Sequence, residues 1–94
     1  YISTFIYHFF FSSFMKTMTC NQLGGPESCN KEFHAETFEE MAQLSKEHGM
    51  EMFEQGDKEH LEVMQQMKEK MQDPDAMQEW MTQKQKEFDE LPDN

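Results

Sequence analysis

The residues of this 94-residue chain best suited to bind a metal ion are two cysteines and four histidines. They are Cys20, Cys29, His8, His34, His48 and His60. Zn²⁺ accepts thiolate sulfur and neutral imidazole nitrogen in tetrahedral sites, and its binding can supply free energy of folding to a small domain. Because the sequence has no convincing export signal, we expect the thiols to stay reduced, which favours a metal site over a disulfide.

Two other interpretations of the same residues stay open. The Cys20-x8-Cys29 spacing is wider than the Cys-x2-Cys knuckle typical of zinc sites, so the two thiols could instead form a disulfide or a structural thiol pair. Plain packing is the other interpretation. Cysteine often behaves as a small buried apolar residue, and His48 shares a helical stripe with Met41 and Met52.

The elements that must position these residues begin with a short hairpin. Two stretches at 17–20 and 32–35 are rich in β-favourable or alternating residues, and they flank the turn sequence Leu23-Gly24-Gly25-Pro26. This arrangement predicts a two-stranded hairpin over residues 17–36.

Three amphipathic helices follow in the prediction, over about residues 38–55, 58–72 and 74–90. Thr37, Asp57 and Asp73 are their expected N-caps, and Gly56 is the expected stop of the first helix. A hairpin followed by three helices predicts a small α+β fold dominated by helix.

Chain geometry narrows the candidate ligands. Alternation along the second strand turns Phe33 toward the helices and His34 away from Cys29. The first helix rises about 1.5 Å per residue, so His48 lies roughly 16 Å back from its start, while the strand spans at most about 27 Å. The end of this helix therefore returns to the cysteines, and the second helix begins there with His60 in its first turn. We predict a metal site formed by Cys20, Cys29, His48 and, as fourth ligand, His60.

The same residues resemble an uncharacterised family of predicted small metal-binding proteins. The resemblance covers about residues 18–56 and includes Cys20-x8-Cys29, Leu23-Gly24, the Glu-Thr-Phe-Glu-Glu run at 36–40 and Glu47-His48. It implies that Cys20, Cys29 and His48 are metal ligands.

Two positions depart from the family pattern. The cysteine loop is longer here, with Gly25-Pro26 as the expected insertion, which a turn accommodates easily. Phe53 stands where the family usually carries a second histidine, and phenylalanine cannot bind a metal. The fourth ligand is therefore His60, a water molecule or missing.

Charge and composition exclude several classes of partner. Nineteen acidic residues against eight lysines, with no arginine, give a net charge of −11. Such a chain repels phosphate backbones and anionic headgroups, so we expect no nucleic-acid or membrane partner. An apolar content of 36% supports one modest core, which we assign to a single domain over residues 15–94.

Residues 1–14 differ in composition from the rest of the chain. They contain nine apolar residues and no formal charge, but polar residues interrupt the run and it is too short to span a bilayer. We interpret them as an upstream extension outside the domain, or else as the remnant of a signal peptide. The first interpretation predicts a cytoplasmic protein and the second an exported one.

Ten methionines are a large share of the apolar residues. Because they recur at helical spacing, we expect them to form core, and we consider a Cu(I) site of thioethers a weaker alternative. A metal-free function is the rival to metal binding. In that alternative the Met-rich helices bind a protein partner or a second copy of the chain, anchored by Met77, Trp80 and Met81.

Catalytic motifs give little support for an enzyme. The sequence has no Gly-rich phosphate loop, no Gly-x-Ser-x-Gly, no His-Glu-x-x-His and no EF-hand calcium loop. We therefore expect a bound metal to serve structure rather than catalysis.

Overall fold

The computed structural model describes residues 15–93, which begin with an antiparallel hairpin. Its strands are β1 (Lys16–Thr19) and β2 (Glu32–Ala35), and Met18 lies opposite Phe33. A short 3₁₀ turn (Asn21–Leu23) follows β1. Residues 1–14, which we predicted to be an extension or a signal remnant, lie outside the described residues.

Three helices follow the hairpin, namely α1 (Phe38–Gln55), α2 (Lys58–Lys70) and α3 (Pro74–Glu90). The predicted helix-dominated α+β fold is confirmed. The predicted bounds of α1 and α3 agree with the structure, whereas α2 ends two residues before the predicted position 72. The Met71 N–H donates to the Met67 carbonyl at 2.8 Å and the Gln72 N–H donates to the Glu69 carbonyl at 3.4 Å, which closes the last turn before Asp73-Pro74 redirects the chain.

The predicted caps fix where α1 begins and ends. The Glu40 N–H donates to Thr37 Oγ1 at 3.1 Å, and the Thr37 N–H donates to Glu40 Oε1 at 3.2 Å, which completes a capping box. Gly56 ends the helix with a φ of 70°, a left-handed conformation that glycine adopts without strain. The reversal at Gly56 directs α2 back from the end of α1.

The core lies between the inner face of the hairpin and the helices. Its buried apolar side chains are Met18, Cys20, Leu23, Phe33, Ala35, Phe38, Met41 and Phe88. The Phe38 and Phe88 rings meet edge to face with centroids 5.9 Å apart, so they join α3 to the start of α1. The Lys16 ammonium donates to the carbonyls of Phe88 and Asp89 at 3.2 and 3.1 Å, which satisfies the C-terminal end of α3.

The expectation that the methionines form the core is wrong for most of them. Met18 and Met41 are buried, but the other eight are partly or largely exposed. Helical spacing identifies a common face, yet that face is buried only if another element covers it. Only one side of α2 and α3 is covered within residues 15–93. None of the helices in that range combines the length and the apolar character that crossing a bilayer requires.

Candidate metal centre

The four predicted ligands come together where the hairpin meets the first two helices. Cys20 follows β1, Cys29 precedes β2, His48 lies in α1 and His60 lies in the first turn of α2. One donor atom from each of the four lies within 4.8 Å of all the others. We refer to these four residues as the cysteine–histidine cluster. It is compatible with a structural metal site, and its donors could hold a divalent metal such as zinc.

Backbone hydrogen bonds hold the two cysteines opposite each other beyond the end of the hairpin. The Cys20 N–H donates to the Lys31 carbonyl at 2.8 Å, and the Asn21 N–H donates to the Cys29 carbonyl at 3.2 Å. Both cysteines are free thiols, so the disulfide interpretation is not the state of this structure. The rigid hairpin end therefore fixes both sulfur positions.

Two of the donor–donor distances match the edge of a metal tetrahedron. Cys29 Sγ lies 3.3 Å from His48 Nε2, and Cys20 Sγ lies 3.6 Å from His60 Nε2. For Zn–S and Zn–N bonds of about 2.3 and 2.05 Å, a tetrahedral S···N edge is about 3.6 Å. Each of these two S···N pairs is therefore spaced as two ligands of one ion would be.

Asp57 orients His60. Its Oδ2 lies 2.6 Å from His60 Nδ1 and also accepts the His60 backbone N–H at 3.1 Å. These two bonds lower the pKa of the Asp57 carboxyl, which is therefore ionised at neutral pH. A carboxylate at Nδ1 keeps the proton on that nitrogen and leaves the Nε2 lone pair free to bind a metal.

His48 is held by aromatic contacts and is neutral at pH 7. Its ring lies 5.6 Å from the Phe33 ring and 5.2 Å from the His60 ring, both edge to face. Burial, followed by the electrostatic interaction with His60, lowers the pKa of His48. A neutral imidazole is the form that binds a metal.

The Cys20 thiol keeps its proton while no cation is bound. Burial, followed by a hydrogen bond with the Cys29 thiol and the charge of Cys29, raises the pKa of Cys20 to about 12. A cation at the centre of the cluster reverses this effect, because it stabilises the thiolate directly. A metal that binds to the cluster must therefore displace the proton of the Cys20 thiol.

Two residues considered in the sequence lie outside the cluster. His34 is exposed and bonds Thr17 Oγ1 through Nδ1 at 2.9 Å, as the alternation of β2 predicted. Phe53, at the position of the family's second histidine, is 63% exposed on α1. His60 on α2 supplies the fourth donor atom instead.

The predicted partner-binding residues are only partly on the surface. Met77 and Met81 are 51% and 38% exposed on α3. Trp80 is half-buried, and its ring lies beside Gly24 of the cysteine loop. The structure therefore places two methionines at the surface and uses Trp80 in packing.

Sequence reasoning identified Asp57 only as a helix cap and did not anticipate its contact with the His60 ring. The spacing of Asp57 and His60 could have indicated this contact, because residues three apart lie on the same side of a helical turn. Gly25 was identified only as a turn residue. A Cβ at this position would overlap Cys20 Sγ, so the loop can wrap around the sulfur only with glycine there.

We expect Gly25→Ala to weaken Zn²⁺ binding about tenfold or more, because the added methyl group displaces Cys20 Sγ from the cluster. Competition with a chromophoric chelator measures the affinity. Gly56→Ala is the control: a Cβ at Gly56 meets no neighbour within 4 Å, although its φ of 70° makes the helix end less stable. Equal Zn²⁺ affinity in Gly25→Ala and the wild type would show that the added methyl group does not displace Cys20 Sγ.

Comparison of the chain with protein-family models, with curated proteins and with solved structures found no match. Two thiols and two imidazoles on four separate segments are the most specific feature of the site.

Proposed function

We propose that this chain is a small metal-binding protein in which Cys20, Cys29, His48 and His60 hold one zinc-like divalent ion. The convergence of four donor atoms within 4.8 Å, from segments up to 40 residues apart in sequence, is the observation that carries the proposal. Packing alone does not require two thiols and two imidazoles to face one point. A tetrahedral set of two sulfurs and two nitrogens is a donor set that Zn²⁺ favours.

The role we propose for the ion is structural. Catalytic zinc sites keep one position for water or substrate, whereas four protein donors fill the tetrahedron. Three of the four side chains are buried, and the core around them is small. An ion here would join the hairpin, α1 and α2, and so stabilise a fold with few buried apolar side chains.

Membership of the family of predicted small metal-binding proteins also remains a proposal. It is supported by Cys20, Cys29 and His48, which occupy the family's ligand positions and belong to the cluster. Phe53 still departs from the pattern. The proposal accounts for this by placing the fourth nitrogen on His60.

Metal analysis of untagged protein tests the proposed function. We expect about one equivalent of Zn²⁺ per chain by mass spectrometry of the metal content. After replacement with Co²⁺ we expect the intense visible bands of a tetrahedral thiolate site. Less than about a tenth of an equivalent of any transition metal, together with no thiolate-to-cobalt band after reconstitution under reducing conditions, would refute the proposal.

We expect Asp57→Asn to weaken Zn²⁺ binding about tenfold, because the His60 ring loses its carboxylate acceptor. Asparagine still caps a helix, so α2 should keep its N-terminus. The affinity is measured by chelator competition, and the circular dichroism of the metal-free protein checks the helix. Wild-type affinity in a variant with intact helix content would show that Asp57 acts only as a cap.

Zn²⁺ affinity should rise by about tenfold or more per pH unit between pH 7 and 8. The metal-free protein holds the Cys20 proton at every pH below a pKa of about 12, whereas the zinc-bound thiolate has none. Each proton that Zn²⁺ displaces on binding makes the apparent Zn²⁺ affinity rise about tenfold per pH unit. Proton release on Zn²⁺ addition, read with a pH indicator in weak buffer, is the measurement. Binding without proton release would contradict the assignment of Cys20 as a ligand.

A second candidate function is a metal-free helical interaction module. The exposure of Met77 and Met81, at 51% and 38%, favours it, because adaptable thioethers suit protein contacts. In this case sedimentation should show self-association of metal-free protein, and Met77→Lys should abolish it. A chain that is monomeric at all concentrations would exclude self-association through this face.

A further inference from the structure

An open cavity of about 320 Å³ lies beside the cysteine–histidine cluster. Cys20 and His60 border it on the side of the cluster, and the glycine turn after Leu23 forms a second side. The remaining walls come from α1 and α2. Ligand pockets typically measure about 300–1,000 Å³, so this cavity has room for a small molecule only.

The cavity exists because α1 presents small residues to α2. Ser45 and Gly49 are one helical turn apart and line the α1 wall. A Cβ at Gly49 would contact the Met64 methyl group at 3.5 Å, so larger side chains here would enter the space between the helices. The opposite wall is formed by methionines of α2, which adapt their shape to apolar ligands.

The charge of the residues that line the cavity is opposite in sign to the net charge of the chain. The protein has 19 acidic residues and a net charge of −11, yet no carboxylate from residues 15–93 lines the cavity. Within the same range, and apart from the cluster residues, the exposed Lys68 is its only charged lining side chain at neutral pH. An apolar interior with one lysine at its edge is complementary to an apolar molecule with one negative charge.

We propose that this cavity binds a small apolar monocarboxylate, such as a medium-chain fatty acid. Its hydrocarbon chain lies among Met64, Met67 and Met71, and its carboxylate pairs with Lys68. This site adjoins the metal centre at Cys20 and His60, but it does not require an ion there.

Titration of the full-length chain with octanoate, and with 1-octanol as the uncharged counterpart, tests this site. Methyl-labelled methionine reports the contacts by NMR. We expect saturable shifts of the Met64, Met67 and Met71 methyl groups, with little change at Met77 and Met81. Shifts that do not saturate, or that centre on the exposed Met77 and Met81, would overturn the proposal.

Two variants test the shape of the cavity and its charge separately. Lys68→Gln should weaken octanoate binding by about two- to fivefold, as expected for an exposed ion pair, and leave octanol binding unchanged. Lys70→Gln, on the same helix but outside the cavity lining, is the matched control. Gly49→Leu should fill the space and remove binding of both ligands. Unchanged octanoate affinity in Lys68→Gln would refute the proposed pairing.

The metal content of the same samples keeps the two proposals apart. Protein that contains zinc but gives no saturable octanoate response refutes the cavity ligand alone. Protein that binds octanoate without containing or accepting a metal refutes the proposed function and supports the cavity ligand.

Discussion

Removal of the metal from the zinc-loaded protein is expected to lower the Tm by about 15 °C or more. An ion present at about 1,000 times its Kd stabilises the native state by about 4 kcal/mol. In a domain of this size each 1 kcal/mol corresponds to about 4–8 °C in Tm. Calorimetry with and without a strong chelator, in the presence of a non-thiol reductant, measures the change.

Cys29→Ser is the control for this experiment. Cys29 is the least buried member of the cluster, so its replacement disturbs packing little while removing one donor. The chelator should lower the Tm of this variant much less than that of the wild type, because loss of one ligand weakens binding by about 100-fold or more. A decrease of less than about 4 °C in the wild type, equivalent to under about 1 kcal/mol, would show that no structural ion stabilises the fold.

His60→Ala should reduce Zn²⁺ affinity by about 100-fold or more. Loss of a residue that only orients a ligand costs about 10- to 100-fold, so loss of the ligand itself should cost at least the upper value. His60 also matters because α1, with Phe53 in place of a second histidine, carries no imidazole other than that of His48. Chelator competition gives the affinity, and the Co²⁺ spectrum shows whether the coordination changes.

His34→Ala is the matched control, since it removes an imidazole from an exposed position on β2 that faces away from the cluster. Its Zn²⁺ affinity should equal that of the wild type. If His60→Ala and His34→Ala bind Zn²⁺ equally well, His60 is not a ligand. The fourth position is then filled by water or by another group.

The secondary structure was predictable because its signals are local. Thr37 with Glu40, Asp57 and Asp73-Pro74 each determine a helix start through bonds to neighbouring residues, and all three act as predicted. The end of α2 was predicted less well, since the Gln72 N–H bonds to the Glu69 carbonyl three residues back, and this tighter turn ends the helix before Asp73-Pro74.

The four residues of the candidate site were predictable from the lengths of the strand and the first helix, but the contacts that surround these residues were not. Strand and helix dimensions were sufficient to bring His48 and His60 toward the cysteines. The fine contacts depend on side-chain rotamers and on loop shape, which spacing does not encode. The Asp57 bond to the His60 ring and the close approach of Gly25 to Cys20 are both of this kind.

The position of α3 limits which part of the fold a bound ion can stabilise directly. All four cluster residues precede α3 in the chain, so a bound ion would cross-link the hairpin, α1 and α2 but not α3. Phe88 and Lys16 attach the C-terminal end of α3 to the rest of the molecule. The ion would therefore raise the free energy of local opening most directly in the first part of the chain. Amide hydrogen exchange in α3 would depend on metal occupancy only through Trp80, which packs beside Gly24 of the cysteine loop, and otherwise on the Phe88 contact.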